Sequence, residues 1–374
     1  MDFNLTDEQQ LIADSVTRFV GDHYALEDRQ QAAKSGVGYR SENWQTMAEL
    51  GWLGLPFSEA EGGFGGTQVD TMILMEAFGR GLVLEPYLPC IVLGAGALRY
   101  GSNQALADAW LPQVFAGEKR LAFAFAEPQS RFELNDVATT AKAIDGGYAV
   151  TGQKSMVSNA EGADALIVSV RTSGERIDDD GIALALVPLD ADGVRCDHFP
   201  TVDGLRASEV YFENVTITAD ALLSGPGDGL PVLQRTVNDG ILALCAEALG
   251  CMEMLYKDTV AYTQEREQFD RPLSDFQVLQ HRMVDMFMEY EQCKSMLYRA
   301  TLETAEGADT AQRTIHGLKY LVGKLGTFIG ENAVQLHGGM GMTEELRLGH
   351  YFKRLLVIDG QFGNADHHLA RFAA

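Results

Sequence analysis

The spacing of apolar residues changes twice along the chain, and no other feature of the sequence constrains the fold as strongly. Residues 1–118 carry apolar residues at helical spacing, whereas residues 119–225 hold short apolar runs between turns, such as LAFAFAEP and GIALALVPL. Helical spacing returns in residues 226–374. The first pattern predicts amphipathic helices and the second predicts strands. The sequence therefore predicts an α+β, mainly α fold with three domains at these boundaries: N-terminal α-helical, middle β-barrel or sandwich, and C-terminal four-helix bundle.

Two apolar stripes in the last domain predict two long helices, each with one buried face. Their residues are Phe276, Leu279, Met283, Met286, Tyr290, Cys293 and Leu297, followed by Ile315, Leu318, Val322, Leu325 and Ile329. The methionines of the first stripe are most simply explained as core packing, because Met fills irregular gaps between helices. Both stripes favour a bundle.

Local signals place some element ends. Thr6 with Gln9 fits a T-x-x-Q capping box near the N-terminus, and Ser274 with Gln277 fits a similar box at the start of the first stripe. The pair at residues 146–147, Gly-Gly, lies between two short apolar runs and predicts a hairpin turn. No G-x-G-x-x-G motif follows a strand, which argues against a Rossmann domain.

The charge and the cysteines exclude several classes of protein. The net charge of −24 disfavours binding to nucleic acid or anionic membranes. The N-terminus lacks the features of a signal peptide, and the longest apolar stretch, residues 86–98, is too short to cross a bilayer. Five cysteines without C-x-x-C spacing argue against a disulfide framework. We expect a reduced, soluble, cytoplasmic protein with no membrane insertion.

Several segments spread over nearly the whole chain resemble the acyl-CoA dehydrogenase family. They are FNLTDEQQLI, MAELGWLGLPFSEAEGGFGG, AEP at residues 126–128, YAVTGQKSMVSNA, GLRASEVYFENVTI, REQFDRPLSDFQVLQHRMVDM and QLHGGMGMTEE. The resemblance implies the same succession of helical, β-barrel and four-helix domains. It also implies FAD as cofactor, an acyl-CoA thioester as substrate for α,β-desaturation, and an electron-transferring flavoprotein as electron acceptor.

In this family FAD lies across a dimer interface, and the bundle of one subunit holds the adenosine and pyrophosphate. The residues that match this half are Arg266, Gln268, Phe269, Gln277, Gln335, Gly338 and Gly339. A guanidinium suits a pyrophosphate because it presents a fixed fork of donors, and a glycine lets the backbone approach the cofactor. Two simpler roles stay open, namely a surface ion pair for Arg266 and a helix C-cap for Gly338-Gly339.

The half of the family site that holds the flavin ring matches less well. Ala126 replaces a threonine, QSRF at residues 129–132 replaces a Gly-Ser-Asp stretch, and MVS at residues 156–158 replaces Trp-x-Thr. Ser158 can still form a hydrogen bond with the ring, but Met156 cannot act as a flat aromatic shield. Three departures on one face indicate relaxed selection for holding the ring.

The catalytic base of the family is missing from both positions where the resemblance expects it. Phe362 and Gly240 occupy those positions, and neither side chain can accept a proton. Asp239, Asp359 and Glu247 lie nearby in the sequence and are interpreted as solvated or structural acids. The catalytic residue is therefore unknown from the sequence.

Three histidines near the C-terminus raise the question of a metal site. His367 and His368 are adjacent and cannot converge on one helix face, and His350 has no carboxylate at H-E-x-x-H spacing. We therefore expect no metal, and we expect these side chains on the surface of the C-terminal helix or near a dimer contact.

The leading hypothesis is that the chain is the small subunit of a heteromeric acyl-CoA dehydrogenase, with two copies of each subunit. The run YFKRLLVIDGQFGNADHH resembles small subunits of that subgroup, which act on bulky acyl-CoAs such as steroid side chains or dicarboxylic acids. The partner is then a paralogous subunit. The alternatives are a homomeric dimer or tetramer with an Asp base (Asp239 or Asp359), a flavin monooxygenase or nitroalkane oxidase on the same fold, and a paralogue without flavin.

Overall fold

The computed structural model describes residues 5–374, and within them the order of elements is helical, β, then helical. The N-terminal helices are α1 (Asp7–His23), α2 (Leu26–Ala33), α3 (Ser41–Glu49), α4 (Gln68–Gly81), α5 (Gly96–Tyr100) and α6 (Gln104–Phe115), with a π-helical segment at Tyr87–Ala95. The capping box predicted at Thr6 is present, because its hydroxyl accepts from the Gln9 N–H at 3.2 Å. The helical prediction for this part of the chain is confirmed.

The middle of the chain forms one curled sheet. Its strands are β1 (Leu121–Ala124), β2 (Thr140–Ile144), β3 (Gly147–Ser158), β4 (Ala165–Arg171), β5 (Ile182–Pro188), β6 (Val194–Pro200) and β7 (Arg206–Thr218). The order is β1-β4-β2-β3-β7-β6, with β5 also paired to β4. The predicted hairpin exists, but Ile144 pairs with Gly147, so the turn residues are Asp145 and Gly146, one position earlier than predicted.

The C-terminal helices are α7 (Gly229–Glu265), α8 (Gln277–Ala305), α9 (Ala311–His337), α10 (Arg347–Gly360) and α11 (Ala365–Ala373). A short hairpin, β8 (Glu267–Gln268) and β9 (Arg271–Pro272), joins α7 to α8. The stripe on α9 is buried as predicted, and on α8 the buried part runs from Met286 onwards. None of the helices in residues 5–374 combines the length and the hydropathy that a membrane span requires.

The capping box predicted at Ser274 is wrong. The N-cap of α8 is Phe276, and residues 273–275 form a 3₁₀ turn. The cause lies in the hairpin, since the Leu273 N–H donates to the Arg266 carbonyl at 2.8 Å and the Phe276 N–H donates to the Leu273 carbonyl. These bonds use the backbone for a turn, so the helix begins at Gln277 and leaves its side chain exposed.

Helix α7 joins the bundle to the N-terminal domain through a close backbone crossing with α4. A Cβ on Gly79 would lie 1.9 Å from the Glu247 carbonyl oxygen, and a Cβ on Gly250 would lie 2.0 Å from the Glu76 carbonyl oxygen. Only glycine allows the two backbones to approach this closely. The crossing fixes α7 against the N-terminal helices. The same helix forms part of the wall of a large cavity.

Candidate functional site

A cavity of about 890 Å³ lies between the β domain, α7 and the α10–α11 connection. Its wall includes Phe125 after β1, Ser158 at the end of β3, Ile241 of α7, and Phe362. A mostly apolar cavity of this size is typical of sites for large organic ligands. We call it the large cavity.

The two positions expected to carry a base lie side by side, and one of them, Phe362, lines the large cavity. A Cβ on Gly240 would lie 3.4 Å from Cζ of Phe362 and 2.6 Å from Cδ2 of Leu93. The Phe362 ring stacks on Phe125 with centroids 5.8 Å apart and an angle of 15° between the planes. Apolar groups therefore fill the place where either carboxylate would stand.

A buried lysine forms hydrogen bonds with both ends of the loop that carries Phe362. Lys319 donates to the carbonyl oxygens of Asp359 (2.9 Å) and Gly363 (2.8 Å), and burial lowers the pKa of its ammonium. Phe362 has a backbone φ of 59°, a left-handed conformation that is uncommon for an aromatic residue. The surrounding bonds hold the loop in this conformation, so Phe362 is a fixed part of the wall. Lys319 is not among the residues predicted from the sequence.

A buried ion pair joins two of the segments that resemble the family. Nζ of Lys154 lies 2.6 Å from Oε1 of Glu127, and both side chains are almost fully buried. Glu127 also accepts from the backbone N–H groups of Ala138 (2.8 Å) and Thr139 (3.0 Å). Burial lowers the pKa of Lys154 to about 8, and Glu127 partly offsets that effect. The glutamate of the AEP segment therefore stabilises the β domain and is not free to act as a base.

A second buried network ties the β domain to the bundle and shows that Glu247 is structural. Arg354 of α10 forms two hydrogen bonds with the Glu247 carboxylate, at 2.6 and 2.8 Å, and a third with Asp203 at 2.8 Å. Arg29 of α2 donates to the Asp203 carbonyl at 2.7 Å. Burial opposes the charge of Arg354, but the adjacent Glu247 raises its pKa.

The two aspartates considered as bases do not line the large cavity. Asp239 borders a separate cavity of about 180 Å³ and accepts from the Tyr100 hydroxyl at 2.5 Å, and burial raises its pKa. Asp359 accepts from the Ala365 N–H at 3.0 Å, at the start of α11. Their positions do not support a role in proton abstraction within the large cavity.

The other carboxylates in the wall of the large cavity have partners. Glu133 pairs with Arg371 at 2.6 Å, and Asp179 accepts from the Asn135 amide at 2.8 Å. One buried carboxyl that the sequence analysis missed is different: Oε2 of Glu85 forms no hydrogen bond with any residue in the range 5–374. Burial raises the pKa of Glu85 to about 7.

Glu85 lines a smaller cavity of about 90 Å³, whose wall also includes Leu93, Ser158 and Phe362. The two cavities are therefore neighbours that share part of their walls. A signal in the sequence could have identified this residue, since Glu85 stands alone among the apolar residues of LVLEPYLP. A charged residue inside an apolar run is unusual unless it is paired or functional.

The three histidines considered for a metal do not form a group. His350 lies near Gln30 and Glu344, whereas His367 and His368 lie in the wall of the large cavity. No cluster suited to a metal ion is found in residues 5–374. The expectation that these histidines lie on the surface is wrong for His350 and His368, which are 8% and 1% exposed. The His368 ring points into the space between α9 and α11, where it bonds to His316.

The residues expected to hold the adenosine and pyrophosphate lie together at one end of the bundle. Tyr262 lies one turn before Arg266, and its ring stacks on that of His337 with the centroids 4.2 Å apart. His337 directly precedes Gly338. The ends of α7 and α9 are thus side by side. The β8–β9 hairpin carries Gln268 and the exposed Phe269. We call this region the bundle end; its exposed members are Arg266, Gln268, Phe269, Gln277, Gln335, Gly338 and Gly339.

The polar side chains of the bundle end are largely unpaired. Within residues 5–374, the side chains of Arg266, Gln277 and Gln335 form neither a hydrogen bond nor an ion pair, while Gln268 bonds to the Glu267 carbonyl at 2.9 Å. The simple alternative of a surface ion pair for Arg266 is therefore not observed. A free guanidinium and free amides are the donors that a pyrophosphate and an adenosine require, so this set fits that half of FAD.

The large cavity fits the flavin ring less well. Ser158 offers a hydroxyl without a partner in the described chain, but Met156 is 56% exposed and lies within an irregularity in the β3–β7 pairing. Ser155 donates to Glu209 at 2.7 Å, which places a carboxylate beside this segment. None of the bundle-end residues lines the large cavity, so a single chain does not bring the two halves together.

Comparisons with known proteins agree with this architecture. The N-terminal, middle and C-terminal domains of acyl-CoA dehydrogenases match residues 6–118, 122–215 and 227–374 respectively. A probable acyl-CoA dehydrogenase of Bacillus subtilis, YngJ, is 28% identical over 92% of this chain and 91% of its own.

Two solved structures are also similar. The Tcur3481–Tcur3483 steroid ACAD is 28% identical with a TM-score of 0.88, covering 98% of this chain and 97% of the other. The FAD complex of PigA is 27% identical with a TM-score of 0.91, covering 100% and 98%. The chain belongs to the acyl-CoA dehydrogenase family, whose members are FAD-dependent oxidoreductases acting on CH–CH bonds.

Proposed function

We propose that this chain is the base-lacking subunit of a heteromeric acyl-CoA dehydrogenase and supplies the adenosine and pyrophosphate half of an FAD site shared with a paralogous subunit. The observation that carries the proposal is the position of the Phe362 ring beside Gly240, where any side chain on Gly240 would meet it. Both positions expected to hold a base converge there, and apolar atoms fill the space between them. α,β-Desaturation requires a base near the substrate α-carbon, and these side chains cannot supply one.

The remaining acids of the large cavity strengthen this proposal. Each of Glu127, Glu133, Asp179 and Asp203 is engaged by a cation or an amide of the same chain. A carboxylate held by a cation is stabilised in its charged form and is a weaker proton acceptor. The base is therefore expected from the partner subunit.

The bundle end is the part of this chain that we expect to meet the cofactor. FAD supplies the hydride acceptor that no side chain provides. Arg266 would pair with the pyrophosphate, the amides of Gln277 and Gln335 would bind the nucleotide, and Gly339 would let the backbone approach it. The exposed ring of Phe269 beside these donors, with 85% of its surface accessible, suits a contact with a second subunit.

One of the similar structures supports an assembly of two components. The steroid ACAD is named for Tcur3481 and Tcur3483 together, which favours a paralogous partner and a bulky acyl-CoA substrate for this chain. We expect an electron-transferring flavoprotein as electron acceptor and a cytoplasmic location, as the sequence predicts.

The test is to purify the chain alone and after co-expression with a paralogous dehydrogenase from the same gene neighbourhood, then to measure bound FAD and acyl-CoA oxidation. We expect the lone chain to bind little FAD and to be inactive, and the complex to be yellow and active. A lone chain with a full complement of FAD and acyl-CoA turnover would refute the proposal. Arg266→Ala in the complex separates FAD loss from loss of assembly, because size-exclusion chromatography reports assembly independently.

A second candidate, a homomeric dehydrogenase, is favoured by Glu85. This buried carboxyl has an oxygen without a partner in the described chain, a pKa raised to about 7, and a place beside Phe362 in the wall of the small cavity. A pKa near the working pH is what a general base requires. Turnover by the lone chain that Glu85→Gln abolishes, and that the exposed control Glu59→Gln retains, would establish this candidate. Equal turnover in both variants would eliminate it.

A further inference from the structure

Two histidines from different helices form a hydrogen-bonded chain in the wall of the large cavity. The Nδ1 atoms of His316 (α9) and His368 (α11) lie 2.9 Å apart. On its other side, Nε2 of His368 lies 3.1 Å from the carbonyl oxygen of Phe362. His368 is almost fully buried and His316 is partly buried. Both line the cavity, and neither has a role in the proposed FAD site.

The carbonyl at one end of this chain fixes the position of every proton in it. A carbonyl oxygen only accepts, so Nε2 of His368 must carry a proton. A neutral imidazole has one N–H, which leaves Nδ1 of His368 as an acceptor. Nδ1 of His316 must then be the donor between the two rings. Nε2 of His316 is consequently left with a lone pair.

The surroundings keep both rings neutral. Burial lowers the pKa of His316 to about 4 and that of His368 to about 3. Nearby positive charge acts in the same direction, from Arg371 on His316 and from Lys319 on His368. His367 is the other titratable group that faces the pair, and Glu133 faces Arg371 as its ion-pair partner. At neutral pH the pair is therefore uncharged.

His316 has an acceptor available to a ligand. Its Nε2 forms no hydrogen bond with residues 5–374, although the ring lines the large cavity. A free lone pair in an apolar wall favours a ligand that brings a hydrogen-bond donor. The lone pair repels an anion, and a cation that reached it would also approach Arg371 in the same wall. At this atom both charged classes are therefore disfavoured.

We propose that the large cavity binds an uncharged, mainly apolar molecule bearing a hydroxyl or other neutral donor group, which donates to Nε2 of His316. His368 is a positioning residue, since its bond to the Phe362 carbonyl sets the His316 tautomer. This selectivity is a property of the chain's own cavity and does not depend on which subunit supplies a base.

A matched pair of probes tests the selectivity. Thymol and thymol methyl ether differ only in the hydroxyl, so calorimetry with the purified chain compares a donor with a non-donor of similar shape. One hydrogen bond contributes about 1 kcal/mol, so we expect thymol to bind about fivefold tighter. His316→Phe should remove this preference. His281→Phe, at an exposed position on α8 outside the cavity wall, should keep it.

Equal affinities in the unsubstituted chain, or a preference that survives His316→Phe, would overturn the proposal. The tautomers provide a second test that needs no substitution of His316. Nitrogen-15 NMR of labelled histidines should show the proton of His316 on Nδ1 and that of His368 on Nε2. A proton on Nε2 of His316 contradicts the inference. In His368→Phe the His316 proton should shift toward Nε2, a change that a purely structural role for His368 would not produce.

Discussion

The polar side chains around the large cavity and those of the bundle end differ in burial and in pairing. In and around the cavity, charged side chains are buried against one another, as in Lys154–Glu127 and Arg354–Glu247. At the bundle end, Arg266 and two glutamines are exposed and have no side-chain partner within residues 5–374. A protein gains little from unpaired donors on its own surface. The charged groups around the cavity pair within this chain, and the difference supports the proposal that the bundle end binds a ligand or a second subunit.

This contrast separates two kinds of effect. Substitutions around the cavity should change the free energy of unfolding, because they leave buried charges without partners. Substitutions at the bundle end should leave that free energy almost unchanged and alter cofactor binding instead, because exposed side chains away from special features contribute little to stability.

The largest effect on stability is expected for Lys154→Met. Loss of the ammonium leaves the Glu127 carboxylate buried without its cation, which costs about 3–5 kcal/mol of unfolding free energy. Urea denaturation followed by circular dichroism measures the loss. Lys119→Met is the matched control, because Lys119 pairs with Asp164 near the surface at 3.1 Å and is 40% exposed. We expect that variant to lose less than about 1 kcal/mol. Equal losses in the two variants would contradict the contrast.

Glu85 is an exception in the cavity region, because its Oε2 atom is buried without a hydrogen-bond partner in residues 5–374. Its titration therefore gives a second test of the comparison. Its folded pKa of about 7 lies above the ordinary glutamate value of 4.5, so the folded state holds the proton more tightly than the unfolded state. Stability from this group is present below pH 4.5 and is lost as the pH rises through about 7. The loss amounts to about 3 kcal/mol for a shift of this size.

Glu85→Gln should remove this pH dependence and make the chain more stable than the unsubstituted protein above neutral pH. Denaturant midpoints measured across the pH range test this expectation. Glu59→Gln, at an exposed position, should reproduce the unsubstituted profile. If the Glu85→Gln profile keeps the same slope, Glu85 is not the group that titrates.

How much of the fold and of the site could be predicted from the sequence depends on how far apart along the chain the interacting residues lie. Periodicity predicted the buried stripe on α9 from Ile315 to Ile329, and the segments resembling the family predicted the three-part fold. The box at Ser274 failed because hydrogen bonds across the β8–β9 hairpin decide where α8 begins. Local pattern contains no information about such bonds.

The cavity depends on contacts between residues that are distant in sequence. His316 meets His368 only because α9 packs against α11, and Lys319 meets Gly363 for the same reason. The expectation that His368 lies on the surface considered α11 alone and did not include the packing of α9 against it. The resemblance identified Phe362 and Gly240 separately, but their mutual contact follows only from the fold.

At the bundle end, Arg266→Ala should reduce the affinity of the assembled protein for FAD about tenfold or more. Hydrogen bonds to a charged group contribute about 1.5–3 kcal/mol, and the guanidinium has no other partner in the described chain. Flavin fluorescence titration of the apoprotein measures the affinity. Arg195→Ala is the control, because that exposed arginine pairs with Asp197 in the β domain. Unchanged FAD affinity in Arg266→Ala would remove the pyrophosphate assignment while leaving the base-lacking assignment intact.

The smallest effect on stability is expected at Gly339, and comparison with Gly338 isolates its reason. A Cβ on either residue would meet no atom within 4 Å, but Gly338 has a φ of 61° and a ψ of −139° that side chains disfavour. Gly338→Ala should therefore cost about 1–3 kcal/mol of stability. Gly339→Ala should change stability by less than about 0.5 kcal/mol. If Gly339 is kept for a close approach of FAD, the added methyl should still weaken FAD binding severalfold. An unchanged affinity for FAD in Gly339→Ala would mean that the glycine turn only ends α9. The shared FAD site would then include Arg266 and the glutamines but not this turn.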